Sequence, residues 1–141
     1  MEQYFTFVNS HLALFMALFV VMGLLVHNLM LGSQGSVDPT KATDLINHQD
    51  AVVVDVRAAA DFAQGHILNA VNIPVNGLGQ QLAILEKHKD QPVIVSCRSG
   101  AQSQLACRTL RKAGFTQVFN LQGGILAWQN ANLPLTRKKT K

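Results

Sequence analysis

The chain has 141 residues, a formal net charge of +4 from 12 Lys and Arg against 8 Asp and Glu, and 2 cysteines. That length holds one ordinary domain with a little to spare, and such a domain buries a core without disulfides. Composition argues against a disulfide scaffold or zinc module, because Cys97 and Cys107 have no His pattern beside them, and against nucleic-acid binding, because basic and aromatic residues do not interleave.

The N-terminal third differs from the rest. No Lys or Arg precedes Lys41, and every residue from Leu12 to Val26 is apolar or Gly. His27 and Asn28 interrupt the run, and Leu29 to Leu31 resume it. Leu12 to Leu31 matches the ~20 apolar residues needed to cross ~30 Å of hydrocarbon. The flank MEQYFTFVNS carries no base, so the pattern predicts a retained single-pass transmembrane helix rather than a cleaved signal peptide. Lys41 on the C-terminal side places the following domain in the cytoplasm, with a bacterial inner membrane as the expected location. The expected segments are an anchor segment over 1–31, a GSQGS linker over 32–36, a globular domain over 37–135 and a basic tail over 136–141. The tail, with Arg137, Lys138, Lys139 and Lys141, reads as a solvated terminus.

Within the domain, Asp38 and Pro39 start a helix that runs to about His48. AVVVDV (51–56) and AVNIP (70–74) read as strands, and Leu78, Leu82 and Leu85 recur at helical spacing. PVIVS (92–96) is a buried strand with proline at its tolerated first position. A helix over Ala101–Ala113 stops at Gly114, QVFNL (117–121) is the next strand, and GGILAW leads into a last short helix. Strands that alternate with helices and are apolar on both faces predict a parallel α/β sheet covered on both sides.

The chemistry centres on VIVSCRSGAQS, a strand that ends in Cys97 and runs through a polar loop into a helix. Successive loop N–H groups and a helix N-terminus favour an anion, so a thiolate there has a lowered pKa and is the nucleophilic form. Arg98 brings positive charge, Ser99 and Ser103 bring hydroxyls, and Gly100 permits an unusual backbone shape. A phosphatase loop places Arg six positions after its cysteine; here that position is Ser103, so the bidentate phosphate clamp is absent. The shorter loop suits a smaller anion, such as a sulfur atom added to the thiolate.

Three stretches together, VVVDVRAAADFAQGHILNAVNIP, VIVSCRSGAQS and GFTQVFNLQGGILAW, resemble a rhodanese-like domain across nearly all of residues 37 to 135. The resemblance implies a five-stranded parallel α/β sheet with helices on both faces. It makes Cys97 the persulfide-forming nucleophile and makes Arg98, Ser99, Gly100, Ala101, Gln102 and Ser103 its cradle. Asp55, Arg57, Asp61, Gly65 and His66 match the family's first motif, and Gly123, Gly124 and Trp128 its last. Many small sulfurtransferases carry a basic residue where this chain has Gln102, which disfavours a dianionic donor such as thiosulfate. Asp55, Arg57 and Asp61 read as a supporting ion-pair network, His66 as a hydrogen-bonded scaffold, and Trp128 and Cys107 as packing.

The expected activity is therefore membrane-anchored transfer of a sulfane sulfur from a small donor to a thiol acceptor, without metal or organic cofactor. The alternative is a membrane-tethered interaction module that binds a membrane-protein partner with little turnover.

Overall fold

The computed structural model describes residues 1–32 and 35–138, the side chains of residues 28–32 excepted. It divides into two units, Met1–Gln34 and Gly35–Lys141.

The first unit holds helices α1 (Glu2–Ser10) and α2 (Leu12–Gly32). They break at His11, where Ser10 Oγ donates to the Phe7 carbonyl (2.9 Å) and His11 Nδ1 lies 3.0 Å from the same oxygen. Side chains that compete for a helix carbonyl loosen the backbone ladder. The expected span, Leu12–Leu31, lies within α2, and the side chains of its last residues lie outside the described residues. Among the described residues no single helix is long and apolar enough to cross a membrane, and one pair bent by 73°, Glu2–Ser10 with Leu12–His27, meets the requirement by length and composition only. The side chains of Leu29, Met30 and Leu31, which were to complete the span, lie outside the described residues. Of the expected linker, Gly32 closes α2 and Ser36 enters a strand, while Ser33 and Gln34 lie outside the described residues.

In the second unit the strands are β1 (Ser36–Val37), β2 (Val52–Asp55), β3 (Val71–Asn72), β4 (Pro92–Ser96) and β5 (Gln117–Leu121). The helices are α3 (Pro39–Gln49), α4 (Ala59–Gln64), α5 (Leu78–Gln81), α6 (Ala101–Lys112) and α7 (Gly124–Asn130). The sheet order is β1-β5-β4-β2-β3, and every neighbouring pair is parallel.

Strand alternation sorts the core into two layers. Val54, Val93, Val95 and Cys97 pack with Ala106, Cys107 and Leu110 of α6. Val53 and Ile94 face the other way, onto Ala42 and Leu45 of α3 and Ile125 and Trp128 of α7. Helices therefore cover both faces, and the β4 strand between them is buried along its whole length.

Local signals fix the helix ends. Asp38 accepts from the Lys41 N–H at 2.7 Å, the N-cap bond that the sequence predicts. Helix α6 closes with Phe115 N–H donating to the Leu110 carbonyl (3.2 Å), a Schellman turn whose Phe115 joins Leu110 in the core.

Three elements differ from the sequence expectation. Strand β1 has only 2 residues and α4 only 6, too short to show a period. The Leu78–Leu82–Leu85 repeat becomes α5 followed by a 3₁₀ helix, Leu82–His88, because its first spacing of four suits an α-helix and its second, of three, fits both helix types. The basic tail also begins later than expected. Thr136 forms an antiparallel bridge with His66, and Arg137 Nε donates to the Gln64 carbonyl at 3.0 Å. Of the expected tail, Lys139, Thr140 and Lys141 lie outside the described residues.

Candidate active site

Cys97 follows the last residue of β4, at the carboxyl end of the most buried strand, where sites of open parallel sheets lie. Its residue is only 2 % exposed, yet it lines a cavity of about 810 Å³, a volume typical of ligand sites. The sulfur therefore lies at the floor of a roomy opening.

The loop after it turns inward. Gly100 N–H donates to Cys97 Sγ at 3.0 Å, and Ser103 Oγ lies 3.4 Å from the same sulfur. Burial pushes the Cys97 thiol pKa up, but the Ser103 hydroxyl and the backbone N–H groups of Ser103, Gly100 and Ser99 outweigh it, and the net direction is down. The donors are fixed before any substrate arrives, so little reorganisation accompanies formation of the anion.

This inward turn requires the loop carbonyls to point elsewhere. The carbonyl of Cys97 accepts from Ile125 N–H at 2.9 Å and that of Arg98 from Leu126 N–H at 3.2 Å. The first turn of α7 thus takes up the backbone oxygens that would otherwise face the thiolate. Gly100 adopts φ +97°, the left-handed region, to make the turn. Gly124 adopts φ +59°, and a Cβ there would stand 2.4 Å from the Cys97 carbonyl oxygen and 2.6 Å from that of Arg98. Only a residue without a side chain lets α7 come this close.

A polar cluster locks the loop from beneath. Ser103 Oγ donates within reach of the Gly100 carbonyl (3.1 Å) and of Asn120 Oδ1, and Asn120 Nδ2 donates to the same Gly100 carbonyl at 3.1 Å. Ser103 and Asn120 are both buried. The single Ser103 proton has three acceptors near it, counting Sγ, so a thiolate has a donor already positioned.

The remaining predicted residues divide into three groups. Ser99, Ala101 and Gln102 are exposed at the cavity mouth, where α6 starts. Arg98 is exposed too; its guanidinium makes no hydrogen bond to Cys97 among the described residues, and it is not among the groups that lower the thiol pKa. The charge expected from Arg98 is thus supplied by backbone amides and Ser103. Asp55 and Arg57 pair closely: Nη2 lies 2.7 Å from Oδ2, and Arg57 Nη2 also donates to the Gly65 carbonyl at 2.7 Å. Asn72 Nδ2 ties the Asp55 and Arg57 carbonyls together at 3.0 Å each. Asp61 lines the cavity but does not join this ion pair, which corrects the expected three-residue network.

Among the scaffold residues, His66 Nδ1 bonds the Phe62 carbonyl at 2.8 Å, and Trp128 Nε1 donates to the Pro134 carbonyl at 3.0 Å. Cys107 is buried in the α6 layer, and burial pushes its thiol up to about 11. At neutral pH it is an inert thiol. Sequence reasoning missed Asn120, whose only signal is a polar residue near the end of an otherwise apolar strand.

Comparisons with known proteins agree with this geometry. Residues 38–131 match the family described as "Rhodanese-like domain". The chain is 50 % identical over 104 residues to "Uncharacterized protein YibN" of Escherichia coli K12, covering 70 % of each. It is 40 % identical over 91 residues to a protein named "Sulfurtransferase" from Allochromatium vinosum, covering 64 % of this chain and 83 % of that one. A rhodanese-related protein from Thermoplasma volcanium superposes with TM-score 0.67 at 28 % identity, covering 74 % of this chain and 99 % of the other.

The alkylation rate of Cys97 is expected to rise with pH about a midpoint below the ~8.5 of a free cysteine, because the folded-state pKa is lowered and the thiolate forms early. Ser103→Ala removes one donor to the sulfur and moves that midpoint upward. Iodoacetamide kinetics against pH, read by mass at Cys97, check both; an unchanged midpoint in Ser103→Ala would remove the hydroxyl from the cradle.

Proposed function

The chain belongs to the rhodanese-like domain family, and from that premise we propose that it is a sulfurtransferase that carries a sulfane sulfur on Cys97. The observation that carries the reading is the Gly100 N–H at 3.0 Å from Cys97 Sγ, with the lowered thiol pKa it helps produce. The thiolate attacks the outer sulfur of a donor; a Cys97 S–S bond forms, the donor's S–S bond breaks, and its electron pair leaves on sulfite or on a thiolate. The terminal sulfur of the persulfide keeps the negative charge, which the same loop amides face. An acceptor thiolate then attacks that sulfur, and Cys97 leaves as thiolate. Dividing the transfer in this way replaces one difficult step with two easier ones. No electrons are exchanged with outside, so no redox partner is needed.

The cavity favours a persulfide donor over thiosulfate. Arg57 is committed to Asp55, Arg98 and Asp61 line the cavity with opposite charges, and Gln64, Gln102 and Gln129 bring amides rather than cations. Such a mouth gives little attraction to a dianion. Ile125, Leu126 and Leu135 add an apolar wall suited to the body of an organic or protein-borne persulfide.

We also propose that the N-terminal helices hold the protein to a membrane, with the domain in the cytoplasm. Phe19 is 80 % exposed, Leu14 68 % and Met16 62 %, a larger apolar surface than water-exposed helices carry. A second reading, a membrane-tethered module that binds a membrane-protein partner with little turnover, draws support from the neutral Gln102 at the rim.

Treatment of the protein with a persulfide donor is expected to add the mass of a sulfur atom to intact protein, reversed by dithiothreitol. Cys97→Ser abolishes this gain and Cys107→Ser keeps it. Equal turnover by Cys97→Ser and the parent would overturn the sulfurtransferase reading, and a stable persulfide without turnover would leave the binding module in its place.

Gln102→Arg is expected to raise kcat/KM for thiosulfate by about tenfold, the equivalent of one charge-assisted contact, and to change a neutral donor little. Steady-state kinetics with both donors check it; an equal change for both would place residue 102 away from the substrate.

In intact cells, a membrane-impermeant maleimide is expected to leave Cys97 unlabelled until lysis, with the protein in the carbonate-washed membrane fraction. Labelling before lysis would put the domain outside, and recovery in the soluble fraction would remove the anchor.

A further inference from the structure

Helix α4 separates two cavities. Asp61 and Gln64 face the Cys97 cavity, whereas Ala59, Phe62 and Ala63 line a second one of about 560 Å³. That volume is within the range of small-molecule sites.

The second cavity has a cationic mouth. Lys87, His88 and Arg137 line it, and no acidic side chain does. Lys87 takes part in none of the ion pairs among the described residues, where Glu86 is already held by Lys89. Arg137 spends only its Nε, on the Gln64 carbonyl at 3.0 Å, so both terminal nitrogens are free among the described residues. His88 Nδ1 is engaged by the Gln91 side chain.

The lining also holds an unmet acceptor. His66 lines the cavity and is 1 % exposed. Its Nδ1 lies 2.8 Å from the Phe62 carbonyl, which only accepts, so the ring proton is on Nδ1. Nε2 is then a buried lone pair, and it has no partner among the described residues. Buried polar atoms are almost always satisfied, so an orphan in a cavity wall points to a missing donor. Phe62, stacked on His66 at 3.7 Å between ring centroids, gives the lining apolar surface together with Val71 and Ile84, beside the amide of Asn72.

We propose that this cavity binds a small organic acid: an anionic head held by Arg137 and Lys87, an apolar body against Phe62, Val71 and Ile84, and a hydroxyl or N–H at the far end donating to His66 Nε2. Carboxylate and phosphate heads share this chemistry. The site is independent of the Cys97 chemistry, because none of these residues lines the first cavity.

The test uses the full chain in lipid nanodiscs and three probes: 4-hydroxyphenylacetate, which has both ends, phenylacetate, which lacks the donor, and 4-hydroxyphenylethanol, which lacks the charge. Phenyl phosphate is a fourth arm that distinguishes the head groups. Binding is read by NMR of the His66 ring protons and by calorimetry. The expected result is saturable binding of 4-hydroxyphenylacetate that shifts the His66 signals, with at least about tenfold weaker binding of the neutral alcohol and about threefold weaker binding of phenylacetate. The exposed pair Lys87→Gln with Arg137→Gln should weaken the acid about tenfold and leave the alcohol unchanged. Absence of a saturable shift up to about 10 mM, or equal affinity for acid and alcohol, overturns the site. Equal affinity for phenylacetate overturns the role of His66. The probe comparison on the parent chain decides the matter even if the double variant folds poorly.

Discussion

A sulfur anion must be held where water and cations do not hold it, and this constraint organises the domain around Cys97. The residue is buried, and burial alone would keep it protonated. Only inward-facing N–H groups and the Ser103 hydroxyl reverse that, so the backbone from Cys97 to Ser103 must turn its donors in and its carbonyls out. Each charge-assisted hydrogen bond of this kind contributes about 1.5–3 kcal/mol, so two or three suffice to outweigh partial desolvation. The carbonyls that face outward need donors of their own, which is why the start of α7 lies against the loop and why residue 124 has no side chain. In the proposed sulfur transfer, a persulfide would extend the anion by one atom within the same ring of donors.

The second constraint is the buried Asp55 carboxylate. An isolated charge in that position would cost several kcal/mol, and Arg57 answers it with side-chain and backbone N–H groups. The same guanidinium grips the Gly65 carbonyl, and His66 follows directly with a bridge to Thr136. One ion pair therefore fixes both ends of α4, the short helix that walls the Cys97 cavity. Its role is positional: the charge of Arg57 is spent on the scaffold and is not available to a donor.

Much of this was legible in the sequence because it rests on local signals. Asp38–Pro39 marks a helix start, Gly114 a helix end, and the β-branched run before Cys97 a buried strand; all three are decided by residues within a few positions of each other. Residues whose meaning depends on distant chain were not legible. Asn120 reads as a polar residue in a strand until the fold brings it under Gly100, 20 positions away. Asp61 has the spacing of a partner for Arg57, but the first turn of α4 carries it to the cavity side. Arg98 is adjacent to Cys97 in sequence, yet successive residues leaving a strand diverge, and its side chain goes to solvent while its carbonyl goes to α7. Adjacency along the chain is a poor guide to which group touches a buried sulfur.

The distribution of cations follows from the same logic. In the Cys97 cavity the cradle is made of neutral dipoles, and its one committed guanidinium is neutralised by Asp55. Dipoles fixed by the fold stabilise the small charge that stays on sulfur, but they attract little from a distance, since their field falls off faster than that of an ion. In the proposed sulfur transfer, selection of a donor then depends on contact with the mouth, which Gln102, Leu126 and Gln129 line. Under the proposed sulfur transfer, stabilising the intermediate falls to Gly100 and Ser103 at the floor, and contact with the donor falls to Gln102, Leu126 and Gln129 at the rim. A substitution at the rim can redirect the chemistry to another donor without disturbing the cradle, because no hydrogen bond in the cradle passes through a rim side chain.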